Sequence, residues 1–377
     1  MPAHLSQVKH LVLVGGGHSQ VAVIQHFARN PLPGSQVTLI SADTQTPYSG
    51  MLPGWVAGQY TRDDMHIDLG RLCRFAHVRF VRGRAIGLNL AKKQVYCQNH
   101  SPIPYDTLSL NTGSTPPGVP DHSHVLPVKP VAAFIDKLDH LTKTLRDSPK
   151  PVSIGVVGTG AAGFEIVLAV KQRLRQSLPD AGLAHIQLHL LGSAPTVLAS
   201  HARRVQQMAL ETLKKARIRL HVNFQVETFD TGVVHAKSGE TLALDALIWA
   251  TGAAPAGWIA ESGLACDKEG FAIVDKTLQS ISHPNVFITG DAASLTPTPV
   301  AKSGVFAVRE GPVLAKNLYR ALQGQPLKPY RPQHRFLSLL NTADGSAIVS
   351  RGPFAARGRI IAWWKDRIDR RFMRKYQ

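Results

Sequence analysis

Two glycine-rich turns in this chain have the residue spacing that cradles a pyrophosphate. The complete GxGxxG copy consists of Gly158, Gly160 and Gly163, and a looser copy near the start contains Gly15 and Gly17. Glycine allows a tight turn and a close approach of the backbone to phosphate, and the helix that follows points its free N–H groups at the anion. Two copies at equivalent places predict two nucleotide sites.

Two strand-end turns repeat in the same way. Thr112 and Gly113 follow the strand in YDTLSLNTG, and Thr251 and Gly252 follow the strand in LDALIWATG. Each half of the chain therefore opens with a glycine turn and closes with a Thr-Gly turn. This repeat supports two nucleotide folds built on one plan.

A further motif, NVFITGD, ends a hydrophobic strand with Gly290 and Asp291. With it, the order of motifs resembles that of the two-dinucleotide-binding-domain flavoproteins, the pyridine nucleotide-disulfide oxidoreductase-like superfamily, over nearly the whole chain. The resemblance implies that the first glycine turn holds the pyrophosphate of FAD and that Asp291 holds its ribitol hydroxyls. It also implies that the second turn binds NAD(P)H. FAD is therefore expected as the cofactor and NAD(P)H as the co-substrate.

A closer resemblance is carried by the segments TPYSGMLPGWVAGQY, HIDLGRL, AKSGVFAVREGPVLAKNL, YRPQHRFLSLLNT and WWKDRIDRRFM. These segments are similar to the flavoprotein domain fused to selenide, water dikinase, a relative of the type II NADH dehydrogenases. The sequence departs from the family's fingerprint at Gln20, where a third glycine belongs, and at Ser41, where an acid usually meets the adenosine ribose. The corresponding strand of the second half ends at Gly192, so the choice between NADH and NADPH stays open.

The elements that must position these residues predict an α/β fold. We expect two Rossmann-like domains, each with a parallel sheet and an antiparallel insert. The FAD-binding domain is predicted to consist of residues 1–120 and 250–325, and the NAD(P)H-binding domain, residues 121–249, to be inserted into it. Residues 326–377 are predicted to form a C-terminal α/β extension that ends in an amphipathic helix.

Three side chains are candidates for direct work at the two nucleotides. The resemblance implies that the helix beginning near Lys302 points at the pyrimidine edge of the flavin, where negative charge develops on reduction. Lys302 would add a positive charge there. Glu165 corresponds to the family's glutamate after the second glycine turn, where a buried carboxylate can relay a proton. His18 is expected to donate a hydrogen bond to phosphate. The alternatives that stay open are that Lys302 is a solvated lysine at a helix start and that Glu165 is a glutamate on the helix surface.

The three cysteines, Cys73, Cys97 and Cys266, are far apart and form no CxxC pair, which argues against disulfide reduction. We therefore predict an FAD-dependent oxidoreductase that passes hydride from NAD(P)H to flavin and on to a quinone or another diffusible acceptor. The alternative is a flavin-binding partner or sensor protein linked to selenium or sulfide-type metabolism, with weak or absent NAD(P)H turnover. No metal site is predicted.

The charge of the chain is strongly basic and is concentrated near its end. Lys and Arg number 43 against 25 Asp and Glu, and nine of these cations lie in residues 351–377. Ile361, Trp364, Ile368 and Phe372 recur there at helical spacing. The pattern is typical of a helix on an anionic leaflet and predicts a cytoplasmic protein, peripheral at the inner face of the membrane.

The same helix has an alternative interpretation, since it could pack on the FAD-binding domain of its own chain or on a second subunit of a homodimer. The same basic segment would also attract nucleic acid. The sequence contains no recognised nucleic-acid-binding fold beside it, so nucleic acid is not predicted as a partner.

Overall fold

The structure, a computed structural model, describes residues 8–146, 150–178, 185–333 and 337–377. The other residues fall within the predicted segments 1–120, 121–249 and 326–377 and lie outside this description. The strands are β1 (Lys9–Val14), β2 (Ser35–Ser41), β3 (Gln45–Pro47), β4 (His66–Asp68), β5 (Arg79–Arg82), β6 (Ala85–Asn89), β7 (Gln94–Cys97), β8 (Ile103–Pro104), β9 (Thr107–Leu110), β10 (Val125–Pro127), β11 (Val152–Val157), β12 (Ile186–Leu191), β13 (Arg219–His221), β14 (Val226–Asp230), β15 (Val233–Ala236), β16 (Thr241–Ala243), β17 (Ala246–Trp249), β18 (Ala272–Val274), β19 (Val286–Ile288), β20 (Ala293–Leu295), β21 (Ser338–Asn341), β22 (Ala347–Arg351) and β23 (Phe354–Gly358). The helices are α1 (His18–Arg29), α2 (Leu52–Val56), α3 (Arg62–Met65), α4 (Leu69–Phe75), α5 (Val131–Arg146), α6 (Ala161–Ser177), α7 (Arg203–Lys215), α8 (Trp258–Glu261), α9 (Gly304–Leu322) and α10 (Arg359–Met373).

The first parallel sheet has five strands in the order β19-β9-β1-β2-β5. Its central strand β1 has an uninterrupted buried run at Leu11, Val12 and Leu13, as expected of a parallel strand that is covered on both faces. Helices α1 and α9 pack against each other. A Cβ at Gly311 would lie 2.9 Å from the Cβ of Ala22, so glycine lets these two helices approach closely.

The second parallel sheet repeats this plan in the order β10-β17-β11-β12-β13. The Gly15 N–H donates to Ile40 at 2.9 Å in the first sheet, and the Gly158 N–H donates to Leu191 at 2.7 Å in the second. The predicted α/β fold with two Rossmann-like sheets is confirmed. Strand β19 follows the second sheet in the sequence yet belongs to the first, so the first sheet is interrupted by the second; the domain boundaries stay predictions.

Small antiparallel sheets accompany both parallel ones. Three of them have three strands each, in the orders β6-β7-β8, β14-β15-β16 and β21-β22-β23. The last of these packs against α7 and α10 and lies within the predicted C-terminal extension. Among the described residues, no helix combines the length and the apolar character needed to cross a bilayer.

The helix α10 turns a different face to the protein than its sequence pattern predicts. Phe372 and Met373 are buried, but so are Lys365 and Asp369, whose side chains form an ion pair of 2.7 Å. The exposed apolar side chains of this helix, with their exposed fractions, are Ile360 (80%), Trp363 (61%), Trp364 (41%) and Ile368 (39%). The predicted apolar face is therefore only partly buried, because the Lys365–Asp369 ion pair occupies part of the inner side of the helix while both tryptophans stay exposed.

Candidate active site

The first glycine turn is pressed against the residue that follows β9. Gly15 has a φ of +92°, in the left-handed region. A Cβ at Gly15 would lie 2.4 Å from the carbonyl oxygen of Asn111, and one at Gly17 would lie 2.0 Å from the Oδ1 of Asn111. Glycine is therefore required at both positions by the protein itself.

Buried polar atoms without a hydrogen-bond partner gather around this turn in the described part of the chain. They are His18 Nδ1, Asn111 Oδ1, Thr112 Oγ1 and Thr289 Oγ1. Buried polar atoms normally have hydrogen-bond partners, so several unpartnered atoms at one place indicate a polar ligand. Helix α1 adds its first N–H groups, since Gly17 at the N-cap offers no side chain to bond them. These residues fit the pyrophosphate part of FAD.

The two departures of the first fingerprint have different structural settings. Gln20 is buried, and its Nε2 donates to the carbonyl and the Oγ of Ser109, each at 3.0 Å. A side-chain hydrogen bond thus joins α1 to β9 where a third glycine would allow direct packing. Ser41 donates to the carbonyl of Asp43 at 3.0 Å and lies beside the turn, because a Cβ at Gly16 would come within 3.2 Å of its Oγ.

His18 begins α1 inside an aromatic cluster. Its ring lies 5.2 Å from the ring of Tyr48 and 5.9 Å from that of Phe372, and its Nε2 is 3.3 Å from the Oγ of Ser49. Burial lowers the pKa of His18 to about 4, although the Asp291 carboxylate favours the charged form. The imidazole is therefore neutral at physiological pH and is able to donate one hydrogen bond without a buried charge.

Asp291 lies in the turn after β19 and faces a lysine of the other sheet. The Nζ of Lys129, which follows β10, is 2.5 Å from the Asp291 Oδ2, and the Ser114 Oγ donates to the same oxygen at 2.8 Å. Gly290 has a φ of +66° and donates its N–H at 2.6 Å to Glu310, whose pKa burial raises to about 7. Loops of both parallel sheets thus meet at this carboxylate.

The second glycine turn joins β11 to α6. Gly158 has a φ of +119°, and a Cβ at Gly163 would lie only 1.7 Å from the Gly158 carbonyl oxygen. A Cβ at Gly160, by contrast, would meet no atom of the described chain within 4 Å. Helix α6 begins directly after Gly160, which forms no side-chain cap. The open space and the uncapped N–H groups fit the pyrophosphate of a second dinucleotide.

The two Thr-Gly turns lead into segments that pair with each other. The turns are Thr112-Gly113 after β9 and Thr251-Gly252 after β17. The backbones of Thr115 and Ala254, just beyond them, exchange two hydrogen bonds of 2.9 Å and 2.7 Å. The chain that follows one parallel sheet is therefore bonded to the chain that follows the other.

Glu165 lies near the start of α6, next to the C-terminal sheet. The backbone N–H of Asn341, the last residue of β21, donates to its carboxylate at 2.7 Å. Burial raises the pKa of Glu165 to about 7, while the Lys365 ammonium favours the charged form. A carboxyl with this pKa gives or takes a proton readily at neutral pH.

A cavity of about 530 Å³ opens beside Asn341, at the side of α10. Its lining includes Gln59, Tyr60, Asn341, Trp363 and Lys365. The Nδ2 of Asn341 donates to the Oε1 of Gln59 at 2.7 Å. Asn341 therefore connects the cavity wall to the Glu165 carboxylate, and the volume is that of a small-molecule site.

Lys302 lies two residues before α9. Its ammonium group donates to the carbonyl of Ala293 and lies 3.8 Å from the centroid of the Phe271 ring. Burial lowers the pKa of Lys302, while nearby carboxylates, Asp291 among them, favour the charged form. The Lys302 ammonium thus interacts electrostatically with Asp291, another predicted site residue. Glu165 lies apart from both, beside the C-terminal sheet.

Sequence reasoning misses three residues that complete these contacts, namely Asn111, Lys129 and Asn341. Asn111 has the one usable signal, since it directly precedes a predicted Thr-Gly turn. Lys129 belongs to no motif, and Asn341 holds Glu165 through a backbone N–H, which any residue except proline would supply.

Two parallel sheets, two glycine cradles and loops that meet between them define the class of two-domain dinucleotide-binding oxidoreductases. The sequence profile of the pyridine nucleotide-disulphide oxidoreductase family matches residues 9–315, and the chain belongs to this family. It is an FAD-dependent oxidoreductase with NAD(P)H as its co-substrate.

Several similar proteins match this chain along nearly its full length. The NADH dehydrogenase-like protein YutJ of Bacillus subtilis (strain 168) is 23% identical over 364 residues, 93% of this chain and 95% of that protein. A type II NADH:quinone oxidoreductase of Staphylococcus aureus (strain bovine RF122 / ET3-1) is 21% identical over 384 residues, 96% of this chain and 94% of that protein. The structure of NDH2 from Plasmodium falciparum in complex with NADH has a TM-score of 0.79 at 15% identity, covering 98% of this chain and 97% of that one. The similarity to the domain fused to selenide, water dikinase stays a prediction.

Proposed function

We propose that this protein passes electrons from NAD(P)H through FAD to a quinone at an anionic membrane surface. The observation that carries the proposal is the contact between Glu165 and Asn341. Glu165 follows the second glycine turn, and Asn341 lines the cavity beside α10, so one hydrogen bond joins the predicted nicotinamide side to a space for an acceptor. The Staphylococcus aureus relative is named for this reaction, which supports the quinone assignment.

FAD, when bound, supplies the two-electron chemistry between the nicotinamide and the acceptor. Gly15, Gly17 and His18 would hold its pyrophosphate, with Ser41 near the adenosine end. Asp291 would accept hydrogen bonds from the ribitol hydroxyls. The unpartnered oxygens and nitrogen of the described residues around the first turn support this assignment.

The second turn would hold the co-substrate. Gly158 and Gly163 shape the backbone, and Gly160 leaves the space into which a phosphate fits. Thr251 and Gly252 would border the nicotinamide. Their turn leads to Ala254, whose backbone bonds to Thr115 near the first site, so the turn would lie on the side of the co-substrate that faces the flavin.

Protons and charge are handled by Glu165 and Lys302. Reduction of a quinone to a quinol takes up two protons, so a group that exchanges protons near neutral pH is needed close to the acceptor. Glu165 has this property because burial raises its pKa to about 7. Lys302 would place a positive charge where reduction adds a negative one.

The outer face of α10 supports a position at the membrane surface. Two of its exposed apolar side chains, Ile360 and Trp363, also line the cavity. The exposed cations Arg359, Arg367 and Arg371 stand on the same helix, and an apolar face with surrounding cations binds an anionic leaflet. An acceptor dissolved in the lipid would therefore enter the cavity directly from the membrane.

The decisive experiment is anaerobic mixing of the FAD-loaded protein with NADH or NADPH. We expect the visible absorbance of the flavin to bleach within seconds and a soluble quinone analogue to restore it. If neither nucleotide bleaches the flavin, the proposal fails and the alternative of a flavin-binding partner or sensor gains support. If bleaching occurs and no quinone reverses it, the acceptor assignment fails.

A further inference from the structure

We propose that Lys129 is a second cation of the flavin site, which positions Asp291 and lowers the cost of reducing the flavin. This inference rests on the proposed function, because it takes Asp291 as the residue that holds the ribitol of FAD. It adds a residue from the second fold to a site whose predicted members come from the first.

The contact has a triangular geometry. The Lys129 Nζ lies 2.5 Å from the Asp291 Oδ2 and 3.1 Å from the Ser114 Oγ, and the Ser114 Oγ donates to Asp291 at 2.8 Å. Lys129 and Asp291 are 162 positions apart in the sequence and follow strands of different sheets. The ion pair therefore bridges the two folds where their loops meet.

The exposure of the two partners differs. The Asp291 side chain is 11% exposed and that of Lys129 is 35% exposed. A largely buried carboxylate needs a counter-charge or hydrogen-bond donors, and Lys129 and Ser114 supply both. The more open ammonium group retains freedom to adjust, so a ribitol hydroxyl can join the carboxylate without breaking the pair.

The surrounding charges make Lys129 specific in its effect. Four carboxylates, those of Asp267, Asp291, Glu310 and Glu269, favour the charged form of Lys302, and one of them, Asp291, also pairs with Lys129. The Lys302 ammonium is held by the Ala293 carbonyl and the Phe271 ring, whereas Lys129 contacts Asp291 directly.

Removing Lys129 would therefore leave Asp291 without its ion-pair partner beside the flavin, with only the Ser114 hydroxyl bonded to it. A carboxylate whose charge is less well balanced disfavours the negative charge that accompanies reduction, because the interaction is weakly screened inside the protein. The flavin would become harder to reduce, and its potential would fall.

The test is a redox titration of FAD-loaded wild type, Lys129→Met and Lys129→Arg, without nicotinamide or quinone. We expect Lys129→Met to lower the ratio of reduced to oxidised flavin about tenfold at a fixed potential, which corresponds to about 30 mV for two electrons. Lys129→Arg keeps the charge. Its ratio of reduced to oxidised flavin at the same potential should therefore stay within about threefold of the wild-type ratio, well short of the roughly tenfold change expected when the charge is lost. Lys143→Met, on the exposed face of α5, removes the same charge elsewhere and should titrate like wild type.

The titration separates this inference from the proposed function, because it needs neither a substrate nor turnover. Equal potentials for Lys129→Met and wild type would overturn the proposal. A shift in Lys129→Arg as large as that in Lys129→Met would also overturn it, since charge would then not be the cause. If Lys129→Met retains no FAD while Lys129→Arg retains FAD at the wild-type potential, the need for a cation at Asp291 is supported; loss of FAD in both variants counts against it.

Discussion

The ring of Phe372 stacks on the ring of Tyr48, with centroids 4.3 Å apart and an interplanar angle of 26°. Tyr48 lies 5.2 Å from His18, and burial together with the Asp369 carboxylate, on the same helix as Phe372, raises the pKa of Tyr48. The end of α10 therefore covers one side of the first glycine turn. The terminal helix is part of the predicted cofactor site as well as of the surface.

This stacking predicts that Phe372→Ala destabilises the protein. The side chain is 8% exposed, so its loss should lower the free energy of unfolding by about 3 kcal/mol and weaken FAD retention. Chemical denaturation and the flavin content after gel filtration measure the two effects. Phe354→Ala removes a phenylalanine that is 61% exposed and should change stability by less than about 0.5 kcal/mol. Equal losses in both variants would disprove the packing role.

The second glycine turn predicts two different effects of adding one methyl group. Gly163→Ala places it 1.7 Å from the Gly158 carbonyl and should cost at least about 2 kcal/mol of unfolding free energy. Gly160→Ala meets no atom of the described chain and should cost less than about 1 kcal/mol. It should nevertheless weaken NAD(P)H binding, because the methyl group fills the proposed phosphate space. Denaturation and nucleotide titrations check both effects, and unchanged affinity in Gly160→Ala would contradict the proposed phosphate position.

Glu165 predicts a pH dependence of stability. Its pKa is raised from an ordinary 4.5 to about 7, so folding favours the protonated form. This contribution is complete below pH 4.5 and is lost as the pH rises through about 7. Glu165→Gln stays neutral, so wild type should lose about 1 to 3 kcal/mol relative to it between about pH 5 and 8.

Urea denaturation across this pH range measures the difference. The rate of quinone reduction should also lose its pH dependence near neutrality in Glu165→Gln. Glu211→Gln, at an exposed position of α7, serves as the control and should follow wild type. Parallel stability curves for wild type and Glu165→Gln would show that the carboxyl is not held protonated.

Lys302 predicts a change in flavin potential. Lys302→Met removes a half-buried cation that interacts with Asp291 and should lower the reduced-to-oxidised ratio at a fixed potential about tenfold, which corresponds to about 30 mV. Spectroscopic redox titration gives the value. Lys268→Met, whose side chain is 90% exposed, should leave it unchanged. An unchanged potential in Lys302→Met would remove this lysine from the site.

The outer face of α10 predicts lipid binding that depends on its tryptophans. Replacing Trp363 and Trp364 together by serine should weaken sedimentation with phosphatidylglycerol vesicles by at least about tenfold, because two partly exposed aromatic side chains lose their apolar contact. Phe75→Ser changes an apolar side chain that is 72% exposed on α4 and should bind like wild type. Vesicles of phosphatidylcholine alone should bind all variants weakly. Unaltered binding by the double variant would assign α10 to a protein contact instead.

The sequence predicts the glycine turns well because their chemistry is local. Gly15 and Gly158 adopt a positive φ and approach a neighbouring strand end so closely that a side chain is excluded. The doubled order of strand, turn and helix follows from periodicity in short windows. The parallel class of the two sheets is therefore predictable from the sequence, whereas the order of their strands comes from the structure.

The contacts between distant segments were not accessible in this way. Lys129 and Asp291 are joined only after two sheets have formed, and no pattern within either segment indicates the pairing. The inner face of α10 shows the same limit, because Lys365 and Asp369 are buried as a pair while Trp363 stays outside. Helical periodicity predicts burial from apolar side chains alone. It therefore misses two charged side chains that are buried because they pair with each other.

Four strands of each parallel sheet follow one order, β9-β1-β2-β5 in the first and β17-β11-β12-β13 in the second, and both sheets place a glycine N–H on a carbonyl at the end of the neighbouring strand. The two folds differ in how the helix after the glycine turn is joined to the sheet, because Gly163 packs directly where Gln20 forms a hydrogen bond. The two positions therefore tolerate opposite changes: position 163 admits no side chain at all, whereas position 20 needs one long enough to reach Ser109.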